Sequence, residues 1–215
     1  MLHILALAVA IQIHNLAGAP SPVVRDAARE VARVYAEMDA QVDWIDARAD
    51  EHDPAAVHVI LIGDETGDLR RARHTVMGAT VWTTAGTPVV YVFYRRVQAI
   101  SAKYTAAISL VFACTLAHEL GHVLMPDRAH SSQGLMRATW SREELQRADQ
   151  GQLHFMPDEV ARIRGSVVTR LPERIALPQA AARALPQAAV RRLDPPVEQE
   201  RRDGARHQLE KDDRR

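Results

Sequence analysis

His118-Glu119-Leu120-Gly121-His122 closes an apolar, helix-compatible run from Thr105 to Leu124. On a helix, residues four apart share a face with their Cβ atoms about 5–6 Å apart. His118 and His122 can therefore grip one metal ion, and Glu119 reaches the open side of that ion. Two neutral imidazoles beside a carboxylate suit Zn2+ and hydrolysis.

A catalytic zinc ion also needs a third protein ligand and an open position for water. Pro126 cannot continue the helix, because it lacks an N–H and clashes with the preceding turn. The chain must leave the helix soon after His122. Seven residues separate His122 from His130, which at about 3.3 Å per residue is ample to bring His130 back to the metal. Asp127, Glu143 and Glu144 are rivals for that role. Ser141-Arg142-Glu143-Glu144 also fits a capping box, in which Glu144 serves a helix start instead.

From His118 to Met136 the sequence resembles the metzincin clan of zinc peptidases. His118, Glu119, Gly121, His122, His130, Ser131 and Met136 carry the likeness. The His130-Ser131 pair followed by Leu135-Met136 is similar to the matrixins, and the stretch also resembles uncharacterised bacterial proteins predicted to be metzincin-like peptidases. The resemblance implies zinc held by His118, His122 and His130, with Met136 supporting the ligands from below. It implies hydrolysis of peptide bonds by zinc-activated water, with Glu119 as general base. The chain departs from the clan in two ways: the third ligand usually comes six residues after the second histidine, where Arg128 stands, and the customary glycine is replaced by Met125. A tyrosine often follows the methionine in that clan, and here Arg137 does.

Around the motif, strands are expected at Ile11 to Asn15, Val42 to Ile45, Val57 to Ile62, Ala79 to Trp82 and Val89 to Tyr94, from β-branched runs and period-two alternation. An amphipathic helix is expected from Pro22 to Met38, and two more follow Met136, at Ser141 to Asp149 and from Pro157 to about Arg170. Gly63 to Thr75 reads as a polar loop. The fold class is α+β: a small mixed twisted sheet with two main helices, one carrying the zinc motif, then a methionine turn and C-terminal helices. The same resemblance makes Gly78, Ala79, Thr80 and Val81 a substrate-binding strand, since an exposed edge offers backbone hydrogen bonds to an extended peptide.

The catalytic domain is expected over residues 1–170, with 1–10 apolar enough to be a signal remnant or a strand. Residues 171–215 contain Ala176-Leu177-Pro178-Gln179-Ala180-Ala181, repeated as Ala184-Leu185-Pro186-Gln187-Ala188-Ala189, and read as a disordered tail. Lysine plus arginine equals aspartate plus glutamate at 27 each, so no basic footprint for nucleic acid exists. The partner is expected to be a peptide or protein substrate, with no stable membrane span and a secreted or periplasmic location favoured over the cytoplasm. Cys114, the single cysteine, reads as a core residue rather than a thiol near zinc. Trp140 is expected to pack against the lower part of the site. His3, His14, His52, His58, His74, His154 and His207 read as surface or strand residues. A competing reading is a non-catalytic zinc-binding or interaction protein, against which the retained Glu119 argues.

Overall fold

Five strands form one mixed sheet: β1 (Leu7–Asn15), β2 (Ala40–Ile45), β3 (Val57–Ile62), β4 (Gly78–Trp82) and β5 (Pro88–Phe93). The computed structural model describes residues 7–45, 56–63, 76–84, 86–125 and 129–174. The expected loop beyond Gly63, residues 126–128 with the rival ligand Asp127, and the tail beyond Arg174 lie outside the described residues. So do His3, His52, His74 and His207.

The strand order is β2-β1-β3-β5-β4. The first four strands of that order run parallel, with Ile11 opposite Trp44 and Val57, and Val59 opposite Val90. Strand β4 is antiparallel to β5 and lies at the sheet edge, with Thr80 opposite Val90. Parallel strands are usually buried and read as continuous apolar runs. Val57-His58-Val59-Ile60-Leu61-Ile62 is such a run, and Val59 and Leu61 are fully buried.

Helix α1 (Ser21–Ala36) turns Ala27, Val31, Val34 and Tyr35 inward, an i, i+4, i+7, i+8 stripe. On its polar face Arg33 pairs with Glu30 and with Glu37, the residue that caps the helix end. Burial drives the Tyr35 ring into the core, where its hydroxyl donates to Ala117 O at 3.0 Å. That bond fixes α1 against α3 (Ile108–Leu124), the helix that carries the histidine motif. Every residue of α3 from Val111 to Leu124 is buried. A helix apolar on all sides belongs in a core, and α3 packs on α1, β4 and β5.

Helix α2 (Tyr94–Tyr104) stands between β5 and α3, and the sequence reading had no helix there. Thr105 ends it in the left-handed region at φ 56. Ala106 then returns its N–H to Ser101 O, and Ser101 Oγ donates to Ala106 O. The apolar run from Thr105 therefore begins α3 only at Ile108. Strand β1 starts at Leu7 rather than Ile11, which takes Leu7 to Ala10 into the sheet. Helix α4 (Arg142–Asp149) opens with the full capping box between Ser141 and Glu144, and α5 runs from Pro157 to Arg174. No helix among the described residues is long and apolar enough to cross a membrane.

Candidate metal centre

His118 and His122 lie one turn apart on the buried end of α3, as helical spacing requires. Their Nε2 atoms are 3.1 Å apart, and His130 Nε2 is 3.2 Å from His122 Nε2. One ring nitrogen from each of the three lies within 4.8 Å of the others. His118 and His122 are buried, and His130 is exposed.

The donor chemistry fits a metal ion. His118 Nδ1 lies 2.9 Å from Leu135 O. A carbonyl only accepts, so Nδ1 carries the hydrogen and the neutral ring presents a bare Nε2 lone pair to the cluster. Burial, reinforced by His122 and His130, pushes the His118 imidazolium down to about 3 against the opposing pull of the Leu135 carbonyl. The ring is therefore neutral at pH 7, the form that ligates. A tetrahedral ion with metal–nitrogen bonds of about 2.0–2.1 Å spaces its ligand nitrogens by about 3.3 Å. The two measured separations match that spacing.

Two close approaches fix the floor of the centre. A Cβ at Gly121 would fall 2.6 Å from Met136 Sδ and 3.0 Å from Phe155 Cε1. The absence of a side chain at 121 thus lets fully buried Met136 lie directly under α3. The turn that delivers Met136 is closed by Ser131 N–H to Met136 O, Arg137 N–H to Gly134 O and Leu135 N–H to His154 O. Ser131 Oγ also donates to Glu159 Oε1, and the other carboxylate oxygen of Glu159 accepts from Met156 N–H at 2.7 Å. Glu159 is completely buried, so the start of α5 holds the residue next to His130.

Glu119 is not part of the histidine cluster. Thr80 Oγ1 lies 2.8 Å from its Oε2 and 3.0 Å from its backbone carbonyl. A Cβ at Gly78 would fall 2.6 Å from Glu119 Cγ, so the glycine makes room for this side chain against the edge strand. Burial raises the Glu119 carboxyl to about 7, while Thr80 works in the opposite direction.

A cavity of about 480 Å³ opens over these groups. Gly78, Ala79, Thr80 and Trp82 of β4 form one wall, and Val81 does not line it. Glu119 and the three histidines line the cavity too, as do Arg137 to Trp140. Trp140 meets the His118 ring edge-on, 5.8 Å between centroids.

Of the rivals for third ligand, Glu144 is committed elsewhere. It accepts from Ser141 N–H and from Arg137 Nη1, both at 2.7 Å. Burial works to raise its carboxyl, but those donors outweigh it and hold the group below its usual range. Glu143 is exposed at the first turn of α4. Cys114 packs in the core with its thiol pushed up to about 12, chiefly by burial. His14 and His58 stack across neighbouring strands, with His14 Nε2 3.1 Å from His58 Nδ1, and His154 pairs with Glu37.

The sequence reading missed three contacts of this neighbourhood: the Thr80 hydroxyl on Glu119, the Arg137–Glu144 pair, and Glu159 on Ser131. Glu159 carries a readable signal, because a glutamate three residues into a helix commonly returns to the backbone at the helix start. No family model matches the chain, and no curated protein matches its sequence.

Proposed function

We propose that this protein is a zinc-dependent peptidase of metzincin-like type, with His118, His122 and His130 as the zinc ligands. The observation that carries this reading is the position of Glu119. It is buried beside the three imidazoles, outside the ligand set, and held by Thr80 on an edge strand that walls the cavity. A purely structural metal site has no use for such a carboxylate, and such sites usually fill all four positions with protein ligands.

His118, His122 and His130 would hold the ion with three protein ligands, the number usual for a catalytic rather than a structural site. Zinc, when bound there, would supply a Lewis acid for a carbonyl oxygen and would lower the pKa of a water to about 7. The chain's own residues do the rest. Glu119 takes the proton of the attacking water and returns it to the leaving amine. Thr80 keeps Oε2 aimed during both transfers. Strand β4, at the edge of the sheet, offers backbone groups to an extended peptide laid along Gly78 to Trp82. Burial keeps His118 neutral, Leu135 O fixes the hydrogen on its Nδ1, and Met136 supports the helix from beneath.

The test is Glu119→Ala with zinc content and peptide cleavage measured on the same sample. The reading requires retained zinc and lost cleavage. Cleavage at the wild-type rate removes Glu119 from the mechanism.

A further inference from the structure

Arg137 lines the same cavity as β4 and comes immediately after Met136. Among the described residues that line the cavity, it is the one lysine or arginine. Its Nη1 donates to Glu144 Oε1 at 2.7 Å. Glu144 is itself immobilised, 2% exposed and bound through Oε2 to Ser141 N–H at 2.7 Å. The guanidinium is thus anchored at one corner on the rigid start of α4, while the Arg137 side chain remains 43% exposed.

Two further facts leave this group with binding capacity. Arg147 Nη2 lies 3.9 Å from the same Glu144 oxygen, so two guanidiniums share one carboxylate. Among the described residues, Arg137 Nε and Nη2 make no hydrogen bond. A guanidinium offers five N–H donors in a flat fork, which matches two oxygens of a carboxylate. A fork that is already held loses less entropy on binding than a free side chain.

We propose that Arg137 is a specificity-determining residue that binds a carboxylate of the peptide substrate in this cavity. The proposal rests on the peptidase reading and deepens it by naming a substrate class. The carboxylate comes either from an aspartate or glutamate side chain or from a peptide C-terminus, and both present the same two oxygens.

The experiment uses zinc-loaded Glu119→Ala protein, which binds without cutting, and a mixed decapeptide library in two forms, C-terminal amide and C-terminal acid. Bound peptides are identified by mass spectrometry. The expected result is enrichment of about tenfold, either for Asp and Glu over Asn and Gln at one position of the amide library, or for the acid over the amide form. The first pattern assigns a side-chain carboxylate and the second a terminal one. Adding Arg137→Gln alone would leave buried Glu144 without its hydrogen-bonded cation, so the added pair is Arg137→Gln with Glu144→Gln, its fold verified by zinc content. That variant is expected to bind peptides with the enrichment gone. Peptides bound and cleaved with no carboxylate preference overturn the assignment of Arg137 and leave the peptidase reading standing, with no variant needed. A preference that survives in the double variant does the same. No peptide bound by Glu119→Ala and none cleaved by the wild type overturns both.

Discussion

The two halves of the histidine cluster are built differently. His118, Glu119 and His122 project from a helix whose residues are buried from Val111 to Leu124. Each helix side chain has a spacing imposed by the backbone, and two have a second anchor, Leu135 O for His118 and Thr80 Oγ1 for Glu119. His130 comes from the chain after the helix and is exposed. Among the described residues its one hydrogen-bond contact is the His122 ring, and its neighbour Ser131 is what the fold ties down, to Met136 and Glu159. The helix half is preorganised by local geometry, and the turn half depends on tertiary contacts made far along the chain.

Substitutions in the two halves should separate these contributions. The largest effect is expected for His118→Ala or His122→Ala, which remove a ligand from the fixed half and with it stable zinc binding and all cleavage. Metal content after dialysis checks this. His130→Ala should weaken zinc by more than the roughly 10–100-fold typical of losing an outer partner, measured by competition with a chelator. An unchanged zinc affinity there would break the comparison at its centre and move the third ligand to a carboxylate.

Smaller effects should follow on the catalytic side. Thr80→Val removes a hydrogen bond to a charged group and is expected to lower kcat about 10–100-fold with zinc affinity unchanged, while Thr80→Ser restores most of the loss. Gly78→Ala places a Cβ 2.6 Å from Glu119 Cγ, so it should also reduce kcat while zinc remains bound. Equal losses of zinc and kcat in either variant would mean that Glu119 and the ligands are not separable.

The smallest effect concerns Cys114, one helical turn before His118. Burial raises its thiol to about 12, so the folded protein at pH 8 should resist a thiol reagent that reacts fully in denaturant. The sign is that of a group with a raised folded-state pKa. Its contribution to stability is complete below the unfolded value near 9 and disappears as pH rises through about 12. Fast labelling of the folded protein would show that this end of α3 opens readily.

How much of this was legible in the sequence follows the same divide. The motif, its helix and the strand Val57 to Ile62 were readable because helical and strand periods are local properties. The start of α4 was readable because a capping box is written within four residues. Helix α2 was missed although Tyr94 and Val97 face inward at helical spacing, because Thr105 in the left-handed region, not a glycine or proline, marks its end. The parallel pairing of β1 with both β2 and β3 could not be read, since register is set between distant segments. His130 was brought forward by its reach and by the resemblance, and it lies beside His122, whereas Thr80 on Glu119 and Glu159 on Ser131 are contacts across 39 and 28 residues. Such contacts leave no period in the chain. Arg137 was visible only as the residue standing where a tyrosine is usual in the family the sequence resembles.

The most direct test of the central claim is cleavage of a diverse peptide library by zinc-loaded protein, run beside Glu119→Ala with equal zinc content. The account predicts cleavage that falls by about 10²–10⁴-fold in the variant, with one zinc ion per chain in both. A protein that holds one zinc ion per chain yet cuts no peptide in either form would contradict it and favour a binding role for the three-histidine centre.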